Sequence, residues 1–236
     1  MYNIRHAGVS VGILHQNEVI YTANFGVRDV AASTTPDENT IYHLGSVTKA
    51  FSAAAMGILV EEQKTNWDTV VSSILPDFKH RDPVIRGNAK ITDIMAHRTG
   101  TASTNALWMQ EFGRLSLSKD QTLATASALY PVRDFRSKWL YGNWGYLIAA
   151  EIIEKLSGRR WGQFLKTHIF EPLGMNRTKT VSYPETDNIV QGFMTLAEGS
   201  PLPLNERPHL AWGQISKVPW QFSLVFTICW SFTRRS

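Results

Sequence analysis

The chain has 236 residues, 43% hydrophobic and 19% charged, proportions of an ordinary globular protein that exclude a disordered, collagen-like or coiled-coil chain. Twenty-four Lys and Arg against twenty Asp and Glu leave a net charge of +4, scattered rather than gathered into a basic stripe, so nucleic acid is not an expected partner. The single cysteine, Cys229, cannot form an internal disulfide and the seven histidines contain no H-x-x-x-H pair, so a disulfide scaffold is excluded and a catalytic zinc is not expected.

The N-terminus lacks the pattern of an export signal, because His15, Gln16 and Glu18 interrupt its apolar stretch, and a cytoplasmic location is the expectation. Residues 8–14, GVSVGIL, are rich in β-branched side chains. A second such run, VIYTANFGV, starts at Val19 after His15-Gln16-Asn17-Glu18, and the pair predicts a β-hairpin. Turn chemistry fills 31–39, AASTTPDEN, after which IYHLGS leads into a long apolar helix starting near Ser46. Phe51, Ala54, Ala55, Ile58 and Leu59 are spaced to bury one face of it.

Residues 1–60 therefore read as the first part of a sheet lobe with this helix, 61–184 as a helical lobe of short segments punctuated by Pro and Gly, and 185–236 as a partial return to the sheet lobe. Within the helical lobe ITDIMAH starts at Ile91 and has Gly100 as its expected stop, and Ser118-Lys119-Asp120-Gln121 has the pattern of a capping box. YLIAAEIIEKLSG runs from Tyr146 to a terminating Gly158, and WGQFLKTHIFEPLG from Trp161 is closed by Pro172 and Gly174. His97 reads as a structural group meeting free carbonyls at a helix end. Trp108, Trp139, Trp144 and Trp161 read mostly as core, with Trp108 or Trp144 available to line a cleft. From about Val218 the sequence VPWQFSLVFTICWSFTRRS has no clear period, and its apolar run over 222–232 is 11 residues long. A membrane span needs about 20.

Ser46-Val47-Thr48-Lys49 places a hydroxyl and an amine three residues apart on one helix face. A serine hydroxyl is a weak nucleophile until a neighbouring base takes its proton, which a lysine one turn on can do. S-x-x-K is a nucleophile motif of penicillin-binding proteins and serine β-lactamases. The same letters occur at Ser116-Leu117-Ser118-Lys119, where helix entry explains them. Only Ser46 follows a glycine, Gly45, which lets backbone approach a ligand, and precedes the small residues Ala53, Ala54 and Ala55. Tyr141-Gly142-Asn143, the one Y-x-N of the chain, supplies a phenol and an amide on a short turn. Taken singly, Ser46 reads as an N-cap, Lys49 as a solvated charge, Tyr141 as a core aromatic and Asn143 as the cap of the next helix.

Together, GVSVGILHQNEVIYTANFGVRD, LGSVTKAF, ITDIMAHRTG, YGNWGYLIAAEIIEKLSG and FEPLGM, in this order over residues 8–178, resemble the class C β-lactamase-like serine hydrolases. The resemblance implies an α/β fold of the α+β type, in which an antiparallel sheet flanked by helices is built from both chain ends and carries an inserted all-helical lobe. It implies an active site in the cleft between them, with Ser46, Lys49 and Tyr141 as catalytic residues. Asn143 would bind the substrate amide or the lysine, and the Ser46 N–H would form half of an oxyanion hole.

The implied partner is a small-molecule acyl compound, an ester, amide or lactam that acylates Ser46 and is then released by water. Transfer to an alcohol or amine is the alternative, and a non-catalytic binding relative is the rival from another class. The oligomeric state is left open. Two assignments of the base also remain open. A lysine keeps its proton to about pH 10.4, so serving as a base near pH 7 costs roughly 4 to 5 kcal/mol, of which a helix N-terminus supplies about 2 at most. Alternatively a charged Lys49 makes Tyr141 the base.

The family's third motif, K-T-G or H-x-G on a later strand, has no match in its place. His6-Ala7-Gly8 and His43-Leu44-Gly45 precede the nucleophile, and Lys166-Thr167-His168 falls within a helix pattern. The resemblance fades near Trp212, so the expectation is a C-terminally truncated chain with an incomplete sheet and a tail, from about Val218, foreign to the family, such as translated intron sequence.

Overall fold

The computed structural model describes residues 8–16, 18–104, 118–180, 187–195, 201–203 and 225–226. The first two strands form the predicted hairpin: β1 (Val9–His15) pairs antiparallel with β2 (Glu18–Phe25), Val9 opposite Phe25 and His15 opposite Glu18. The reversal is tighter than four polar residues suggest. Backbone groups make a ladder whatever the side chains are, so His15 and Glu18 still pair, and Gln16 turns the chain with a φ of 49°. Apolar side chains on both faces are exposed, Val11 at 39% and Ile20 at 59% among them.

The Ser10 and Tyr42 hydroxyls share a hydrogen bond of 2.8 Å, which ties the hairpin to β3 (Tyr42–His43). β4 (Phe193–Thr195) pairs with β5 (Pro201–Pro203), and β3 pairs with β6 (Val225–Phe226), so the described strands make three separate antiparallel pairs. The chain returns to the start of the fold at 187–191, where the Ile41 N–H donates to the Asn188 carbonyl at 2.8 Å and the Gln191 N–H to the Arg28 carbonyl at 2.7 Å. The rest of the 222–232 run, the place of the third motif and Trp108 all lie outside the described residues.

A 3-10 turn, Gly45–Val47, leads into α1 (Thr48–Glu61). Its buried stripe is Lys49, Ser52, Ala55, Met56 and Leu59, while Ala54, which the sequence placed on this face, is exposed. The run 52, 55, 56, 59 follows the i, i+3, i+4, i+7 repeat, and position 54 falls outside it. Next come α2 (Val71–Ile74), α3 (Pro83–Asn88) and α4 (Ile91–Met95). Asp82 caps α3 by accepting from the N–H groups of Val84 and Ile85, satisfying donors that a helix start leaves open.

A 3-10 turn, Lys119–Gln121, opens α5 (Thr122–Ala128), and Gln121 Oε1 accepts from the Ser118 N–H at 3.0 Å, as the capping pattern predicts. α6 (Trp144–Ser157) starts two residues earlier than the sequence suggests and ends at Gly158, with a φ of 68°. α7 (Trp161–Leu165) continues into a π turn, Lys166–Phe170.

α6 is the centre of the helical layer. Trp144, Leu147, Ile148, Ala149, Ala150, Ile152 and Ile153 are all buried, and α1, α2, α4, α5 and α7 pack around them. A helix apolar on nearly every side belongs inside a core, and each buried Leu or Ile contributes about 1.5–3 kcal/mol. Trp144 therefore fills core rather than lining a cleft. Gly145 lets α6 start directly against α4, since a Cβ there would lie 2.1 Å from the Ile94 carbonyl oxygen.

The chain turns after α4 at His97, with a φ of 58°, rather than at Gly100. Gly100 matters for another reason. A Cβ on it would meet the Arg133 carbonyl oxygen at 2.2 Å, so glycine lets the segment after Tyr130 close over the turn. No helix among the described residues is long and apolar enough to cross a membrane.

Candidate active site

The four residues singled out by sequence come together where α1 starts beside α6. Ser46 is exposed on its 3-10 turn and makes no cap, since the N-cap of α1 is Val47. Lys49, one turn on, is buried with 9% of its surface exposed. Tyr141 and Asn143 arrive on the segment before α6. Asn143 takes the N-cap position there, but its side chain does not cap the helix.

The Ser46 and Tyr141 hydroxyls are 2.6 Å apart. Lys49 Nζ donates to Tyr141 Oη at 2.7 Å, to Asn143 Oδ1 at 2.8 Å and to Ser46 Oγ at 3.3 Å. An ammonium has three protons to give, and three acceptors stand around this one. Nζ also lies 4.8 Å from the centre of the Tyr141 ring and 5.5 Å from that of Tyr146, positions in which an aromatic face attracts a cation. Burial alone would raise the Tyr141 phenol. Hydrogen bonds from Lys49 and Ser46, with the positive charge of Lys49, outweigh it and hold the phenol below its ordinary value.

A hydrogen-bonded frame presents this segment. The carboxylate of Asp93 receives Arg136 Nε at 2.8 Å, Arg136 Nη2 at 2.7 Å and the Lys90 N–H at 2.9 Å. The Arg136 N–H donates to the Arg98 carbonyl at 2.8 Å and the Leu140 N–H to the His97 carbonyl at 2.9 Å. His97 meets no helix-end carbonyl with its ring, contrary to the sequence reading. Its Nδ1 accepts from the Gly142 N–H at 3.2 Å, and the ring packs 4.7 Å from that of Tyr141. Trp139, expected in the core, is 66% exposed beside them, 5.9 Å from the Tyr141 ring. No local sequence signal carries the proximity of His97 to the Y-x-N turn, because Gly142 lies 45 positions after His97.

Among the described residues no three His, Cys, Asp or Glu side chains could hold a metal ion. The elements and their arrangement are those of the β-lactamase/transpeptidase-like fold, and comparison with known proteins agrees. A sequence profile of the Beta-lactamase family matches residues 1–211. The chain belongs to that family, whose members are serine hydrolases that include penicillin-binding proteins and esterases.

It is 28% identical over 225 residues to the unguisins hydrolase ungD of Aspergillus violaceofuscus, which covers 91% of this chain and 37% of that protein. The octameric penicillin-binding protein homologue from Pyrococcus abyssi superposes with a TM-score of 0.72 at 27% identity, over 85% of this chain and 47% of that one. EstCE1, a hydrolase with promiscuous acyltransferase activity, shares the fold with a TM-score of 0.73 at 22% identity, over 84% of this chain and 54% of that one. The chain thus spans 37% to 40% of the length of three of the curated relatives it matches.

Proposed function

We propose that the chain is a serine hydrolase that forms an acyl-enzyme on Ser46 from an ester, amide or lactam of a small molecule. One observation carries the reading: Tyr141 Oη stands 2.6 Å from Ser46 Oγ with Lys49 Nζ 2.7 Å from the same phenol oxygen. In this arrangement Lys49 acts as the charge that favours the phenolate, and Tyr141 acts as the base. The phenolate takes the Ser46 proton as Oγ adds to the substrate carbonyl carbon. The tetrahedral adduct collapses, the bond to the leaving group breaks, and the proton on Tyr141 passes to that group. Water then adds to the acyl carbon, giving its proton to Tyr141, and the free acid leaves as Ser46 recovers a proton.

The Ser46 N–H, at the opening of a helix where backbone donors are free of intrahelical partners, serves the developing oxyanion. Asn143 holds Lys49 in place, and the exposed Trp139 and Val47 offer apolar surface to the substrate. The test is release of p-nitrophenol from p-nitrophenyl acetate by folded wild type beside Ser46→Ala. Turnover by wild type alone is expected, and equal turnover by both would reject Ser46.

Exposure of Ser46 favours a second outcome for the same intermediate, because an open acyl-serine is accessible to an alcohol or amine as well as to water. Adding a short alcohol and measuring ester product against free acid separates transfer from hydrolysis.

A further inference from the structure

The loop that carries Tyr141 is gripped on both sides of that residue by a single residue of another element. The backbone carbonyl of His97 accepts the Leu140 N–H at 2.9 Å, and its ring Nδ1 accepts the Gly142 N–H at 3.2 Å. Consecutive Cα atoms are held about 3.8 Å apart, so fixing 140 and 142 leaves the backbone of 141 little freedom. The ring centroid of His97 lies 4.7 Å from that of Tyr141 and 5.5 Å from that of Tyr146, with Trp139 edge-on at 5.7 Å.

We infer that His97 is a positioning residue: through its Nδ1 acceptor it sets the Tyr141 hydroxyl against Ser46 Oγ and Asn143 Oδ1 against Lys49. The inference rests on the proposed roles of Ser46 and Tyr141. His97 touches neither reacting oxygen and takes no proton in the reaction.

Two features fit an acceptor rather than a filler. An imidazole accepts at Nδ1 only while that nitrogen carries no proton. Burial first, and then the charge of Lys49, favour the neutral ring. Backbone geometry is the second feature. His97 has a φ of 58°, in the left-handed region that few non-glycine residues occupy, and this turn brings both its carbonyl and its ring to the Y-x-N segment. A residue needed only for the turn would be served by glycine; the ring serves the acceptor.

The experiment compares wild type, His97→Asn, His97→Gly and His97→Leu by the rate at which p-nitrophenyl acetate acylates Ser46, followed by intact-protein mass spectrometry. Circular dichroism and thermal unfolding check that each is folded. Asparagine offers a carbonyl acceptor and tolerates the left-handed turn, so it should retain a rate within about threefold of wild type, whereas glycine, which keeps the turn without an acceptor, should slow acylation by roughly 10- to 100-fold. The same His97→Gly change in a Tyr141→Phe background should add less than about twofold, because two groups acting as one unit are not additive.

Folded His97→Gly at the wild-type rate would overturn the inference, as would an equal loss in the Asn and Gly variants or a full further loss in the Tyr141→Phe background. Wild type that takes no acetyl on Ser46 would overturn the functional assignment and this inference with it. Acylated wild type beside an unaffected His97→Gly rejects the role of His97 alone.

Discussion

Lys49 Nζ and Asn143 Oδ1, 94 residues apart in sequence, meet at 2.8 Å as a buried pair that fastens the start of α1 to the start of α6. Both residues have 9% of their surface exposed, so an acceptor lost here is not readily replaced by solvent. Asn143→Leu keeps the number and branching of side-chain heavy atoms and removes the acceptor. It should cost about 1.5–3 kcal/mol, the range for hydrogen bonds to charged groups, read as a lower urea midpoint. An unchanged midpoint would mean that Lys49 finds another partner.

Tyr141→Phe removes one oxygen from the cluster and leaves the ring packed against His97. General-base catalysis contributes about 10²–10⁴-fold, so acylation of Ser46 should slow by that much while the thermal midpoint moves little. A Phe variant with the wild-type rate would move the role of base to Lys49.

Gly145→Ala tests how the Y-x-N segment is delivered. The added Cβ would stand 2.1 Å from the Ile94 carbonyl oxygen, where two helix backbones meet and neither is a flexible side chain. Forcing α6 away from α4 should destabilise the fold by about 1–3 kcal/mol and slow acylation as well. A fully stable, fully active Ala variant would contradict the close approach.

Acid should destabilise the fold through its histidines. His80 is 1% exposed, and burial holds its imidazole below the ordinary value of 6.5. The unfolded chain therefore takes up the proton first. Stability from this group is whole above about pH 6.5 and is lost as pH falls through the lower folded-state value. His97, lowered by burial and then by Lys49, acts with the same sign. Urea midpoints should decline between about pH 7 and pH 5, with a shallower decline in His80→Asn. A flat wild-type profile over that window would contradict the assignment.

Much of this site is legible in the sequence because its signals are local. The β-branched runs around His15 announce the hairpin, and the apolar stretch from Tyr146 to Gly158 announces α6, two residues short of its start. Ser46 and Lys49 sit one helical turn apart whatever surrounds them. Family resemblance, not spacing, links them to Tyr141 and Asn143. What the sequence misplaces depends on contacts between distant segments. Gly100 reads as a helix stop, yet its lack of a Cβ is needed against Arg133. His97 reads as a helix-end polar group, yet a left-handed turn aims it at Gly142. Trp139 and Trp144 look alike in composition, but one is 66% exposed beside Tyr141 and the other 4% exposed in the core.

The proposed chemistry stands or falls with Ser46 as a working nucleophile. Intact-protein mass spectrometry of folded chain after brief exposure to p-nitrophenyl acetate, with peptide mapping of the product and Ser46→Ala alongside, tests this without an intermediary. One acetyl group per chain is expected, located on Ser46, lost with time and absent from the Ala variant. Folded wild type that stays unmodified, or an acetyl carried equally by Ser46→Ala, would contradict it.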